Sequence, residues 1–178
     1  ETEGTYPRPE AQVDRFMMKV LVDYPSDEEE YVIVERVTGP AVQVNAVATT
    51  DQLAVLQAQC REVYVDPSLV QYAVKLVSAT RTPDKHGLKD MGRLITFGAS
   101  PRATIGLVEG ARALAMLRGR NYALPEDMTD LVPDVLRHRV VLSYEGLSEG
   151  LTSDGLIARI MKQVPPPARP LEADKRVA

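Results

Sequence analysis

Two arginines stand where this sequence could do chemistry. The first is Arg102, in the run Gly98-Ala99-Ser100-Pro101-Arg102. Ser100 is a favoured helix N-cap, and proline suits the first helical position, where its missing N–H would lack a partner anyway. Arg102 then falls at the second helical position, where the helix end carries partial positive charge and a carboxylate is the expected neighbour. A cation there either turns away to solvent or shares an anion with the backbone N–H groups of the helix end. A phosphate would meet both those N–H groups and the planar fork of the guanidinium. Ser100 competes for the same ground, because its hydroxyl, as a cap, occupies one of those N–H groups. The plain alternative is an ordinary capped helix whose arginine snorkels into water.

The second is Arg15, in Val13-Asp14-Arg15-Phe16. It lies between a short polar turn and an apolar run, so that Phe16 would anchor the segment and leave Arg15 at the surface. Read alone, it is a surface arginine paired with Asp14 or Glu10. The other chemistry-bearing residues promise less. Cys60 falls on the apolar face of a predicted helix and reads as a small buried hydrophobe. A single cysteine excludes an internal disulfide and fits a reducing compartment. His86 and His138 are too few and too far apart for a metal site of the usual spacing.

The elements that must position the two arginines follow from periodicity and punctuation. The run Phe16-Met17-Met18-Lys19-Val20-Leu21-Val22 predicts a strand apolar enough to be covered on both faces; without the sheet it needs, it should be disordered, repacked on the helices, or paired with another chain. From Pro25 onward the pattern is helical. Ser26 and Glu29 form a capping box ahead of Ile33, Val34 and Val37, and Gly39-Pro40 stops that helix. Residues 42–48 suit a short extended stretch. Asp51 is expected to cap a helix carrying Leu53, Leu56, Cys60 and Val63 on one face. Asp66-Pro67 opens another, with Leu69, Tyr72, Ala73, Leu76, Val77 and Thr80 at helical spacing. Residues 81–92 form a polar loop, either a solvated connector or a functional one. Pro101 starts the longest helix, which ends at Arg118-Gly119. Leu124-Pro125 begins a further segment that Pro133 should break. Ser153-Asp154 is expected to cap the last helix, and Pro165-Pro166-Pro167 ends it.

This reading gives five or six helices behind a short α/β remnant, a mainly α fold. The expected organisation is residues 1–25 as the end of an α/β core, 26–165 as a helical domain, and 166–178 as a disordered tail. The 178 residues, 44% hydrophobic and 26% charged, suit a globular chain. A net charge of -4 gives no global attraction to nucleic acid or anionic membrane. The local basic clusters, at Arg112, Arg118 and Arg120 and at Arg137, His138 and Arg139, read as solvated helix ends. No apolar run reaches membrane-spanning length, and no signal-peptide pattern opens the chain. It begins at Glu1 rather than methionine, which suggests a longer parent.

Taken in order, these motifs resemble a known family. The run "EGTYPRPEAQVDRFMMKVLVDYPSDEEE" resembles the C-terminal end of the AAA+ module of MoxR-type ATPases. The runs "FGASPRATIGLVEGARALAMLRGRNYALPEDM" and "LRHRVVLSYEG" resemble the lid that follows it, and magnesium-chelatase ATPase subunits match less well. The resemblance implies that Arg15, in the family's "DRF" motif, is an arginine finger reaching the γ-phosphate of ATP on a neighbouring subunit. It implies that Arg102, in "SPR", is the second-sensor arginine touching its own subunit's nucleotide, with Ser100 as a cap close to phosphate. It further implies a cytoplasmic, hexameric, chaperone-like ATP hydrolase that matures client complexes, often metal- or cofactor-containing, beside a von Willebrand A-domain partner. The sequence departs from a complete ATPase in three ways. It has no G-x-x-x-x-G-K-[ST] loop and no hydrophobic strand ending in Asp-Glu to hold Mg²⁺, and the family's first-sensor asparagine would precede Glu1. ATP and Mg²⁺ are therefore expected in the parent, with no cofactor tightly bound to this chain, which alone should be inactive. The alternative is a non-enzymatic helical interaction module, docking through an exposed apolar face or the 81–92 loop, for which both arginines would be dispensable.

Overall fold

The computed structural model describes residues 10–168, with side chains from residue 12. The helices are α1 (Glu10–Val13), α2 (Asp27–Thr38), α3 (Thr50–Glu62), α4 (Pro67–Arg81), α5 (Pro101–Leu117), α6 (Pro125–Thr129), α7 (Val132–Leu136), α8 (Tyr144–Ser148) and α9 (Ser153–Gln163). Two 3-10 turns, Pro83–His86 and Lys89–Leu94, lead into β1 (Ile95–Phe97), which pairs antiparallel with β2 (Val141–Leu142). The mainly helical architecture is the one the periodicity predicts. The longer helices match the expected number, while the proline-punctuated stretch 125–136 and the Ser143-capped turn after it add three five-residue helices.

The core is built where apolar spacing is most regular. Leu69, Leu76 and Val77 of α4, Leu107 of α5, Leu136 of α7, and Leu156, Ile157 and Ile160 of α9 are almost wholly buried. Burying one such side chain contributes about 1.5–3 kcal/mol, so this cluster is what holds the chain together. Local punctuation behaves as expected at several ends. Ser26 and Glu29 form a reciprocal capping box on α2, Asp66 caps α4 ahead of Pro67, and Ser100 caps α5 ahead of Pro101. Pro133 sits in the first turn of α7, so the apolar pattern from 125 to 136 is two short helices rather than one.

Other expectations need correction. The caps of α3 and α9 are Thr49 and Thr152, not Asp51 and Ser153, because each threonine hydroxyl reaches the N–H three residues on. Residues 16–22 form no strand: among the described residues no partner ladder lies beside them. The segment divides instead. Met18 packs against the helical core and the Lys19 N–H donates to the Asp134 carbonyl at 2.8 Å, while Val20, Leu21 and Val22 are exposed. Residues 42–48, expected as a short extended stretch, are exposed and belong to no helix or sheet. Neither α2 nor α3 buries a residue, so Cys60 is half-buried rather than a core hydrophobe. The polar loop 81–92 folds into the two 3-10 turns, with Pro83 and Met91 buried. The expected tail lies outside the described residues from position 169 on.

Candidate functional site

Arg102 sits where the capping logic puts it. Ser100 Oγ accepts from the Arg102 N–H at 3.2 Å, and the Arg102 side chain is 64% exposed. The anion it shares comes from the protein itself. Arg102 Nη1 donates to Asp14 Oδ2 at 3.0 Å, and Ser100 Oγ donates to the same carboxylate at 2.8 and 3.0 Å. The hydroxyl that accepts from the helix N–H thus also donates to an aspartate 86 positions upstream.

A third donor closes on Asp14 from the other side. Arg139 Nε donates to Asp14 Oδ1 at 3.2 Å, with its side chain only 2% exposed. The same guanidinium donates to the main-chain carbonyls of Met17 at 2.9 Å and Asp14 at 3.0 Å, and also to those of Phe16 and Val135. Five acceptors around one buried guanidinium satisfy its donors, which is what permits the charge to be buried. Burial draws the Arg139 pKa down and the charge of Asp14 opposes that. Burial also pushes the Asp14 carboxyl up, but hydrogen bonds from Ser100 and Arg102 and the charge of Arg139 outweigh it, and the carboxyl ends below its usual range.

The neighbours of Arg139 grip the same segment. His138 Nε2 lies 3.0 Å from the Phe16 carbonyl, and Arg137 Nη1 donates to the Lys19 carbonyl at 3.0 Å while bridging Asp134 and Asp154. The Arg137-His138-Arg139 run is therefore not the solvated helix end that charge rules predict, but a clasp on residues 14–19. Met17 completes the attachment. A Cβ added at Gly110 would lie 3.3 Å from Met17 Cε, so these contacts depend on a small face of α5.

Arg15 is held within this clasp yet is exposed, and among the described residues it makes no ion pair or side-chain hydrogen bond. The expected pairing of Arg15 with Asp14 does not occur, because Ser100, Arg102 and Arg139 take up the carboxylate. Arg15 and Arg102, 87 positions apart in sequence, are thus joined through a single residue. The second basic cluster is also structural: Arg118 and Arg120 converge on Asp127, which is wholly buried and accepts in addition from the Leu124 N–H. Sequence reasoning missed Asp14 and Arg139. The one available signal was the dense basic run after a proline-broken helix, and nothing local told a clasp from a helix end.

Comparison with known proteins fits this arrangement. Residues 89–160 match the AAA lid domain, the class of module to which the helices around Arg102 and Arg139 belong. Chaperone MoxR1 of Mycobacterium tuberculosis is 43% identical over 164 residues, covering 92% of this chain and 44% of that protein. Protein MoxR of Paracoccus denitrificans is 34% identical over 182 residues, covering 94% of this chain and 53% of that protein. A solved structure from Cytophaga hutchinsonii, provisionally assigned as an ATPase, superposes with a TM-score of 0.89 at 38% identity over 94% of this chain and 52% of its own. Over most of its length the chain is thus similar to MoxR-type proteins, with an AAA lid domain at residues 89–160, and it spans about half the length of the relatives it matches. Among the described residues no helix is long and apolar enough to cross a membrane.

Proposed function

We propose that this chain supplies the lid and the arginine-finger segment of a MoxR-type ATP hydrolase, a chaperone-like machine. In this reading Arg15 reaches the ATP of a neighbouring subunit and Arg102 contacts the nucleotide of its own. The observation that carries it is the shared carboxylate of Asp14. It leaves Arg15 exposed and without a side-chain partner among the described residues, and it engages only one edge of the exposed Arg102. A guanidinium with unengaged donors, on a backbone fixed from behind, suits stabilising charge on a transferring phosphoryl group.

The residues fit ATP as a peripheral clamp. Arg102 is exposed and can turn from Asp14 to a phosphate oxygen, while nothing in the sequence cradles the β- and γ-phosphates or holds Mg²⁺. When bound, the nucleotide with its metal supplies the phosphoryl group to be transferred. This chain contributes orientation and positive charge. Hexameric assembly, a von Willebrand A-domain partner and a client complex that is matured by the machine belong to the same proposal.

The test is made in the ATPase assembled with its nucleotide-binding core. Arg15→Ala should lower turnover by a factor of roughly 10³ to 10⁵ while assembly and fold persist. Arg102→Ala should leave nucleotide bound without productive turnover. Wild-type rates in both variants would favour the interaction module instead. The 178-residue chain alone should show no ATP hydrolysis, and turnover by a preparation free of contaminating ATPase would contradict that.

A further inference from the structure

We propose that Asp14 is a positioning residue through which Arg102 and Arg15 are coupled, so that a lid arginine engaged with its own subunit's nucleotide resets the arginine offered to the next. The inference rests on the roles given above to Arg15 and Arg102. Asp14 has three side-chain donors of very different freedom. Arg139 is 2% exposed and is tied to four main-chain carbonyls as well, so it cannot leave. Ser100 is fixed by its place as the α5 cap. Arg102 is 64% exposed, with no other partner among the described residues, and can depart at little cost.

A phosphate oxygen and Asp14 Oδ2 are therefore competing acceptors for the same guanidinium. Both are anionic and both suit its planar fork. When phosphate takes Arg102, Asp14 keeps Arg139 and Ser100, so its carboxylate turns toward them rather than being stranded. Asp14 is bonded directly to Arg15. On the far side, Arg139 holds the Phe16 and Met17 carbonyls, and Met17 rests against Gly106 and Gly110 of α5. The same Arg139 guanidinium holds both the Asp14 carboxylate and the carbonyl of the peptide that leads into Arg15, so a turn of the carboxylate is passed to Arg15 through Arg139. Both arrangements are built from the same partners, so a ligand that favours one of them shifts the balance.

The test is a kinetic double-mutant cycle in the assembled ATPase. Asp14→Asn keeps the shape and an acceptor for Arg139 but removes the charge that competes for Arg102. KM for ATP should fall about two- to fivefold, the factor an exposed ion pair is worth. The rate constant kcat should fall roughly 10- to 100-fold as Arg15 loses its orientation. The KM effect should vanish in an Arg102→Gln background, because no lid arginine remains to be released. A KM that is unchanged, raised, or still lowered without Arg102 overturns the proposal, as does a retained kcat. A purely structural role would not produce a KM decrease that depends on Arg102. Should Asp14→Asn fail to assemble, Asp14→Glu keeps the charge beside Arg139. It should hold KM within about twofold of wild type while kcat falls, and a wild-type kcat there would overturn the coupling. Arg15→Ala separates the two failures. If it turns over normally the finger reading itself is wrong; if it is inactive while both Asp14 variants behave as wild type, only the coupling is wrong.

Discussion

Arg102 Nη1 lies 3.0 Å from the carboxylate of Asp14, the residue immediately before Arg15. One contact thus ties the first turn of α5 to the segment that presents the second arginine. The same carboxylate is fixed from beneath by Arg139, so the contact has one rigid side and one that solvent reaches. This asymmetry separates what can be removed without harm from what cannot.

Arg139→Ala should be severely destabilising. It removes the buried partner of Asp14 and leaves the carbonyls of Asp14, Phe16, Met17 and Val135 without their donor. Breaking one side of a buried ion pair costs about 3–5 kcal/mol. For a chain of this size that corresponds to a fall in Tm of roughly 10 °C, measured by calorimetry. Arg102→Ala, at the exposed end of the same carboxylate, should move Tm by no more than about 4 °C.

Stability should fall on mild acidification because of His138. Burial lowers its pKa from 6.5, Arg139 adds to that, and the carbonyls of Phe16 and Asp134 and the charge of Asp14 oppose it. The unfolded chain takes up a proton near pH 6.5 that the folded chain resists. Unfolding is thus favoured as pH drops below that value and disfavoured above it. The urea midpoint should decline between about pH 7 and pH 5, and His138→Gln should flatten the decline. Asp14 contributes in a different window. Its folded pKa lies below 3.8, so its share of stability is present above that pH and disappears only as pH falls through the folded value.

Asp127→Ala should loosen the turn between α5 and α6. The wholly buried carboxylate accepts from Arg118, Arg120 and the Leu124 N–H, and beside it Tyr64 pairs with Asn121 and Ala123 through main-chain bonds. Losing it leaves the half-buried Leu124 N–H without its acceptor and two arginines without their shared carboxylate, a cost of about 1–3 kcal/mol. Amide hydrogen exchange should quicken at Ala123 and Leu124 while the α4 core stays protected. Uniform loss of protection would show that the turn is not an independent unit.

Two glycines should respond in opposite directions. A Cβ at Gly98 would lie 2.4 Å from the Thr80 carbonyl oxygen, a backbone atom that cannot give way easily. Gly98→Ala should therefore cost about 2 kcal/mol and shift the entry to α5. That entry is otherwise pinned by Ala99 N–H to Thr80 Oγ1 at 2.9 Å and Arg81 to the Ala99 carbonyl at 3.0 Å. At Gly106 the nearest atom would be Val135 Cγ1 at 3.5 Å, an ordinary contact. Gly106→Ala should stabilise the α5 interior by about 0.5–1 kcal/mol. Parallel thermal melts of the two variants check both signs.

What the sequence determined by itself is local. Helix starts at Ser26, Asp66 and Ser100, the break at Pro133 and the buried stripe of α4 all follow from groups within a turn or two of one another, and each forms as its residues dictate. The small misses at Thr49 and Thr152 are of the same local kind, since several capping residues compete within one turn. The family motifs were legible too, as were the two arginines. Only the tertiary structure decided who partners them. The Arg102–Asp14 and Arg139–Asp14 contacts span 88 and 125 positions, and they depend on how α5 and the end of α7 come together. Charge patterning cannot tell a guanidinium in water from one surrounded by five acceptors. Residues 16–22 failed as a strand for a matching reason, because a strand is completed by its neighbours and its own apolar pattern is not enough.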